Sequence, residues 1–74
     1  MILTIDQLCG IAAAGGGLVL DASSFTFNQM AEICAAAATG QAHVSIHHVS
    51  ALTFQQLRDL ASAAPGRVTF DLLR

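Results

Sequence analysis

The chain has 74 residues, is 54% hydrophobic and carries a formal net charge of −2. A chain of this length forms one small domain that buries only about 60% of its unfolded surface, and so apolar a composition excludes intrinsic disorder. Three arginines and no lysine provide no basic patch for nucleic acid, and no apolar run approaches the ~20 residues of a membrane span.

A short motif recurs three times along the chain, and each copy predicts the start of a helix. Thr4, Thr26 and Thr53 are each followed by a glutamine at the third position, which is the spacing of a capping box. The copies lie roughly 20 to 30 residues apart, as the units of solenoid proteins do. We therefore divide a single domain, residues 1–74, into three repeats of about 3–24, 25–50 and 52–74.

The first repeat predicts a helix followed by a short strand. Apolar residues with helical spacing follow Thr4, namely Ile5, Leu8, Ile11 and Ala12. The glycines at 15–17 predict the end of the helix, because glycine adopts the left-handed conformation without steric cost. The strand is predicted over Leu18–Asp21.

The second and third repeats follow the same plan. Their apolar stripes are Phe27, Met30, Ile33 and Cys34, and then Phe54, Leu57, Leu60 and Ala61. Gly40 and the pair Pro65-Gly66 predict the two helix ends. Alternation of apolar and polar residues predicts half-buried strands over His43–His47 and Arg67–Leu72. All four phenylalanines of the chain fit the predicted core.

Alternating helices and strands predict an α/β fold, in which right-handed crossovers produce a parallel sheet. We expect a three-stranded sheet in the order of the sequence, with all helices on one face. This arrangement resembles a leucine-rich-repeat solenoid in outline only, since the leucine-rich consensus and its asparagine ladder are absent. The uncovered sheet face and the two unpaired edges predict a covering protein, because parallel sheets are usually buried on both faces.

Aligned repeats bring eight residues to the uncovered face, and these are the predicted partner-binding residues: Val19, Asp21, His43, Ser45, His47, Arg67, Thr69 and Asp71. His47 is expected between Asp21 and Asp71, since neighbouring strands lie about 4.8 Å apart. Flanking carboxylates suit a histidine to acid–base chemistry or a pH switch, but a stabilising row of ion pairs is the favoured interpretation.

The sequence predicts no cofactor, no catalytic residue and no metal site within one chain. His43 and His47 share a face but are separated by about 13 Å along the strand, which is too far for one ion. A metal shared between subunits remains open. Cys34 fits a small core residue, and Cys9 is expected to be partly exposed and reduced.

We therefore expect a non-enzymatic protein–protein interaction module, an adaptor or an inhibitor, that acts in the cytoplasm through its uncovered sheet face. Its charged fraction, 11%, is low for a solvated monomer and favours self-association, with a dimer preferred. The alternatives are a structural unit that stacks end to end, a protein centred on His47 with enzymatic or metal-binding chemistry, and a piece of a longer repeat protein.

Overall fold

The computed structural model describes residues 3–72. The predicted domain, 1–74, and the predicted third repeat, 52–74, extend beyond this range, so residues 1–2 and 73–74 lie outside it. Helices and strands alternate in the order α1 (Ile5–Ala13), β1 (Leu18–Asp21), α2 (Phe27–Gly40), β2 (Val44–His47), α3 (Phe54–Ala63) and β3 (Val68–Phe70). Short 3-10 helices, Ala22–Ser24 and Val49–Ala51, follow the first two strands.

All three helices begin at the predicted capping boxes. In each, the threonine hydroxyl accepts a hydrogen bond from the backbone N–H of the glutamine at the third position, and that glutamine side chain accepts one from the threonine N–H. The N···O distances lie between 2.9 and 3.2 Å. Two of the backbone donors that every helix start leaves without a helical partner are thereby satisfied.

The strands form one open parallel sheet in the order β1-β2-β3, as predicted. Leu18 pairs with Val44 and Val44 with Val68, so the predicted register is confirmed. Two strands are shorter than expected. The regular part of β2 starts at Val44 instead of His43. The third strand covers Val68–Phe70 instead of Arg67–Leu72, and the chain turns at Leu72.

The helices cover one face of the sheet, where the core lies. Val44 and Ile46 of the central strand have no exposed surface, and Leu20 of β1 is 4% exposed. The strand positions between them point to the opposite face, where Val19 is 72% exposed. Every fully buried side chain of residues 3–72 is apolar or a cysteine, so the polar chemistry of this part of the chain lies at its surface.

Two apolar residues assigned to the core are exposed. Phe54, the first residue of α3, is 77% exposed, and Ile11 in α1 is 39% exposed. Both belong to the outer repeats, whereas their counterparts in α2, Phe27 and Ile33, pack in or against the core. The prediction that all four phenylalanines lie in the core was therefore wrong for Phe54.

Candidate functional site

The sheet surface opposite the helices, here called the open face, carries the eight residues predicted from the sequence. Val19, Ser45 and Thr69 form one row across the three strands. Asp21 lies opposite His47 in the next row, and Asp71 follows directly after β3. The backbone amide of Asp71 still donates to the carbonyl of Ile46, at 2.9 Å, which extends the pairing to that row.

Two open-face side chains bind polar groups near the N-terminal ends of β2 and β3. The His43 Nε2 atom lies 2.5 Å from the Thr69 hydroxyl oxygen, a hydrogen bond that links β3 to the residue before β2. The Arg67 guanidinium donates to the backbone carbonyl of Gln41 at 3.0 Å. Arg67 thus caps a carbonyl at the end of α2, where Gln41 has a left-handed conformation.

At the opposite end of the strands, His47 binds one carboxylate. Its Nδ1 atom lies 2.9 Å from Oδ2 of Asp71, and the side chains are 36% and 22% exposed. Because an ionised carboxylate only accepts hydrogen bonds, Nδ1 carries the proton in this contact. The neutral ring then has its free lone pair on Nε2.

Asp21 does not complete the predicted carboxylate–histidine–carboxylate row. Its Oδ1 atom instead lies 3.3 Å from Nδ1 of His48 and accepts hydrogen bonds from the Ser23 backbone N–H, at 2.9 Å, and the Ser23 hydroxyl, at 2.6 Å. The register confirms that His47 lies in a row between Asp21 and Asp71, but the carboxylate of Asp21 turns away from it and the contact of His47 is with Asp71. The physical reason is that Asp21 caps the 3-10 helix Ala22–Ser24, which turns its side chain along the chain.

The backbone of His48 explains how a residue after β2 reaches this carboxylate. His48 has φ 58° and ψ 48°, a left-handed conformation that breaks the strand's alternation. A straight strand would point His47 and His48 to opposite faces. With the turn, the ends of the strands present two histidine–carboxylate pairs, His47 with Asp71 and His48 with Asp21.

The electrostatic environment of Asp21 favours its ionised form. Hydrogen bonds from the Ser23 side chain and backbone, and then the attraction of His48, lower the pKa of Asp21 below its ordinary value. A smaller opposing effect of desolvation does not reverse this direction. Asp21 therefore remains charged under all but acidic conditions.

Neither cysteine is an activated thiol. Cys34 is fully buried, and burial raises its pKa to about 11. Burial and the negative charges of Glu32 and Asp6 raise the pKa of the half-buried Cys9. Since the thiolate is the reactive species, both side chains are poor nucleophiles at neutral pH. The predicted roles of Cys34 as a core residue and of Cys9 as a partly exposed one agree with these positions.

Within residues 3–72, no three His, Cys, Asp or Glu side chains are grouped closely enough to hold a metal ion. In the same stretch, no helix combines the length and the apolar character needed to cross a bilayer. The open face carries hydrogen-bond donors and acceptors, and cross-strand contacts join His43 to Thr69 and His47 to Asp71.

Comparisons with protein-family models, with curated proteins and with solved structures found no match to this chain.

Sequence reasoning missed three residues that shape this surface, namely Ser23, Gln41 and His48. Ser23 could have been found, because an aspartate followed two positions later by a serine is a common turn motif. Gln41 and His48 both have positive φ angles, which are uncommon in residues other than glycine. Their local sequence gives no comparable signal.

Proposed function

We propose that the protein is a non-enzymatic protein–protein interaction module, an adaptor or an inhibitor, that binds a protein partner through the open face. The observation that carries this role is the exposure of one whole face of a parallel sheet, with Val19 at 72%. Parallel sheets are usually covered on both faces, so such a surface suits a partner.

The chemistry of the open face favours a polar partner surface. Val19 is the one apolar residue among the eight, and the other seven have hydroxyl, imidazole, guanidinium or carboxylate groups. Two aspartates and one arginine nearly balance in charge. A partner would therefore be recognised by hydrogen bonds in a defined geometry and not by a strong electrostatic field.

The size of the open face requires the contact to extend beyond the strands. Two strands of four residues and one of three, about 4.8 Å apart and with about 3.3 Å per residue, present roughly 170 Å². A stable complex buries about 800 Å² on each partner. The adjoining 3-10 helices supply the nearest additional surface, including the exposed residues Ser24, His48 and Ser50.

Other parts of the proposal follow from the sequence. We place the protein in the cytoplasm, where its two free thiols stay reduced, and we propose a solenoid-like stacking of its repeats and association with further copies of itself. The composition supports neither nucleic acid nor a membrane as partner. No cofactor is needed for such a role.

A protein centred on His47 with enzymatic or metal-binding chemistry is the less favoured alternative. His47 has the orienting carboxylate that a catalytic histidine needs, since Asp71 contacts its Nδ1 atom. A nucleophile within reach is also required, and the cysteine thiols are not activated.

The test is capture of partners by immobilised protein from a lysate of the source cells. A bait with His47→Ala and Thr69→Ala changes the open face, and a bait with Asn28→Ala changes an exposed residue on the helical side. We expect the wild type and the Asn28→Ala bait to retain the same proteins. The double variant should retain at least tenfold less of each. Equal retention by all three baits would exclude the open face as the contact surface.

A further inference from the structure

Equivalent positions in the three repeats differ in exposure, and the exposure depends on whether another repeat precedes or follows. Ile11, Ile33 and Leu60 occupy the seventh position of their helices. Ile33 and Leu60 are 0% exposed, whereas Ile11 is 39% exposed. This position is therefore buried when another repeat precedes its own, and among the described residues no repeat precedes the first.

At the first helical position, the exposed residue lies in the last repeat instead of the first. Ile5 and Phe27 pack against the core, while the equivalent Phe54 is 77% exposed. The sheet behaves in the same way, because Phe70 of β3 is only half-buried and the equivalent Ile46 of β2 is fully buried. These positions are covered by the repeat that follows, and within residues 3–72 none follows the third.

The two ends of the repeat stack are therefore complementary surfaces. We call the outward side of α1 and β1 the leading end, marked by Ile11, and the outward side of α3 and β3 the trailing end, marked by Phe54. Inside the chain, the trailing side of each repeat already binds the leading side of the next, at the α1–α2 and α2–α3 contacts. A second copy offers the same kind of surface to each end.

We propose that the protein assembles head to tail, with the trailing end of one copy bound to the leading end of the next. The strand β3 of one copy would pair with β1 of its neighbour in the parallel order already present within the sheet. Both are outer strands, whose outward backbone groups suit such pairing. The interface rests on the self-association in the proposed function and specifies it: the two ends of the stack meet, and the open face stays free.

The side chains at the fifth and sixth positions fit this contact. Within the chain, the fifth residue of α1, Cys9, lies within electrostatic reach of the sixth residue of α2, Glu32. In a head-to-tail contact the corresponding residues are Arg58 of one copy and Gly10 of the next. A Cβ atom on Gly10 would meet nothing within 4 Å, so there is room for the long arginine. The charged residue of α1 is Asp6, which is opposite in sign to Arg58.

A head-to-tail contact differs from a closed dimer, because both copies retain one unused end. Such heterologous contacts continue into open chains, whereas a two-fold contact stops at two copies. We expect the average mass of the wild type, measured by light scattering, to rise beyond that of a dimer as the concentration increases past about 1 mM, the dissociation constant of a weak interface.

Two end variants separate these arrangements. Ile11→Glu changes the leading end and Phe54→Glu the trailing end, and each alone is expected to remain monomeric at a concentration at which the wild type assembles. Gly10→Arg is a second leading-end variant, which keeps the apolar side chains and opposes Arg58. Asn28→Glu is the control, since Asn28 is exposed on α2 of the middle repeat, away from both ends. Circular dichroism confirms that each variant is folded.

Mixing the two single variants provides the decisive measurement. The intact trailing end of Ile11→Glu can bind the intact leading end of Phe54→Glu, so the mixture is expected to form a one-to-one dimer that grows no further. A wild type that remains monomeric throughout the titration would overturn the proposal. So would a two-fold dimer, recognised by an Ile11→Glu variant that still pairs with itself and a mixture that forms no new species.

Discussion

At the scale of single residues, Asp21 connects the end of β1 to two neighbouring segments. It caps the 3-10 helix through Ser23 and binds His48 across the strands. Because these contacts lower its pKa, the folded state favours the ionised carboxylate. The resulting stability is present above the pKa of the unfolded chain, about 3.9, and is lost as the pH falls through the folded value.

We therefore expect Asp21→Asn to lower the free energy of unfolding at neutral pH, and this difference to shrink as the pH falls below about 4. Urea denaturation at a series of pH values measures it. Ser23→Ala is the companion variant. Because it removes the hydroxyl donor to Asp21, it should reduce the part of the unfolding free energy that is lost as the pH falls. If Asp21→Asn and the wild type lost stability in parallel between pH 5 and 2, Asp21 would not contribute in this way.

Single residues also show where sequence reasoning reached its limit at the site. The pairing of His47 with the carboxylate of Asp71, directly after β3, follows from strand alternation and register, both of which the sequence encodes. The partner of Asp21 depends on the left-handed backbone of His48, which neighbouring residues do not specify. Asp21 therefore lies opposite His47 in the predicted row but binds His48, the next residue along the chain.

At the scale of the elements, the helix starts were predictable and their ends were less so. A capping box depends on two side chains three residues apart, so its signal is local. A glycine can be required for one of two reasons: it adopts a positive φ angle, or it allows two backbones to approach closely. Gly40 was expected to provide the first and provides the second, since the left-handed residue after α2 is Gln41.

This distinction predicts opposite effects for alanine at two glycines. A Cβ on Gly40 would lie 2.5 Å from the carbonyl oxygen of Ala13 and closer still to that of Ala12, so α1 and α2 would have to separate. We expect Gly40→Ala to destabilise the protein by about 2–3 kcal/mol, as overpacked contacts do. Gly10 lies within α1 with open space around it, so Gly10→Ala should stabilise by about 0.5–1 kcal/mol.

Chemical denaturation of the two glycine variants measures both changes on one scale. Each variant adds one methyl group to a helical glycine, so a difference in sign can only come from the surroundings. If Gly40→Ala left the stability unchanged or raised it, the close packing of α1 on α2 would not depend on Gly40.

At the scale of the whole molecule, the parallel sheet and its strand order were predictable because each repeat brings the same crossover. Helical spacing identifies which residues share a stripe, but the burial of that stripe depends on neighbours on both sides. Ile11 and Phe54 match their counterparts in sequence and differ in exposure because α1 and α3 are the outer helices. The repeated sequence pattern therefore describes the burial of the central helix and strand better than that of the outer ones.

The same property predicts that stability is concentrated in the middle repeat. Ile33→Val and Ile11→Val remove the same methylene group from equivalent positions in α2 and α1. Ile33 is 0% exposed, so its loss should cost about 1 kcal/mol, within the usual range of 0.5–1.5 for this change. Ile11 is 39% exposed, and its loss should cost less than about 0.5 kcal/mol.

Thermal unfolding at low protein concentration, where head-to-tail contacts do not form, compares the two valine variants. For a domain of this size, about 1 kcal/mol corresponds to a shift of roughly 4–8 °C in Tm, so the two are readily distinguished. At high concentration the proposed assembly would bury Ile11, and the cost of Ile11→Val should then rise toward that of Ile33→Val. An Ile11→Val cost that does not change with concentration while the wild type assembles would mean that Ile11 lies outside the contact.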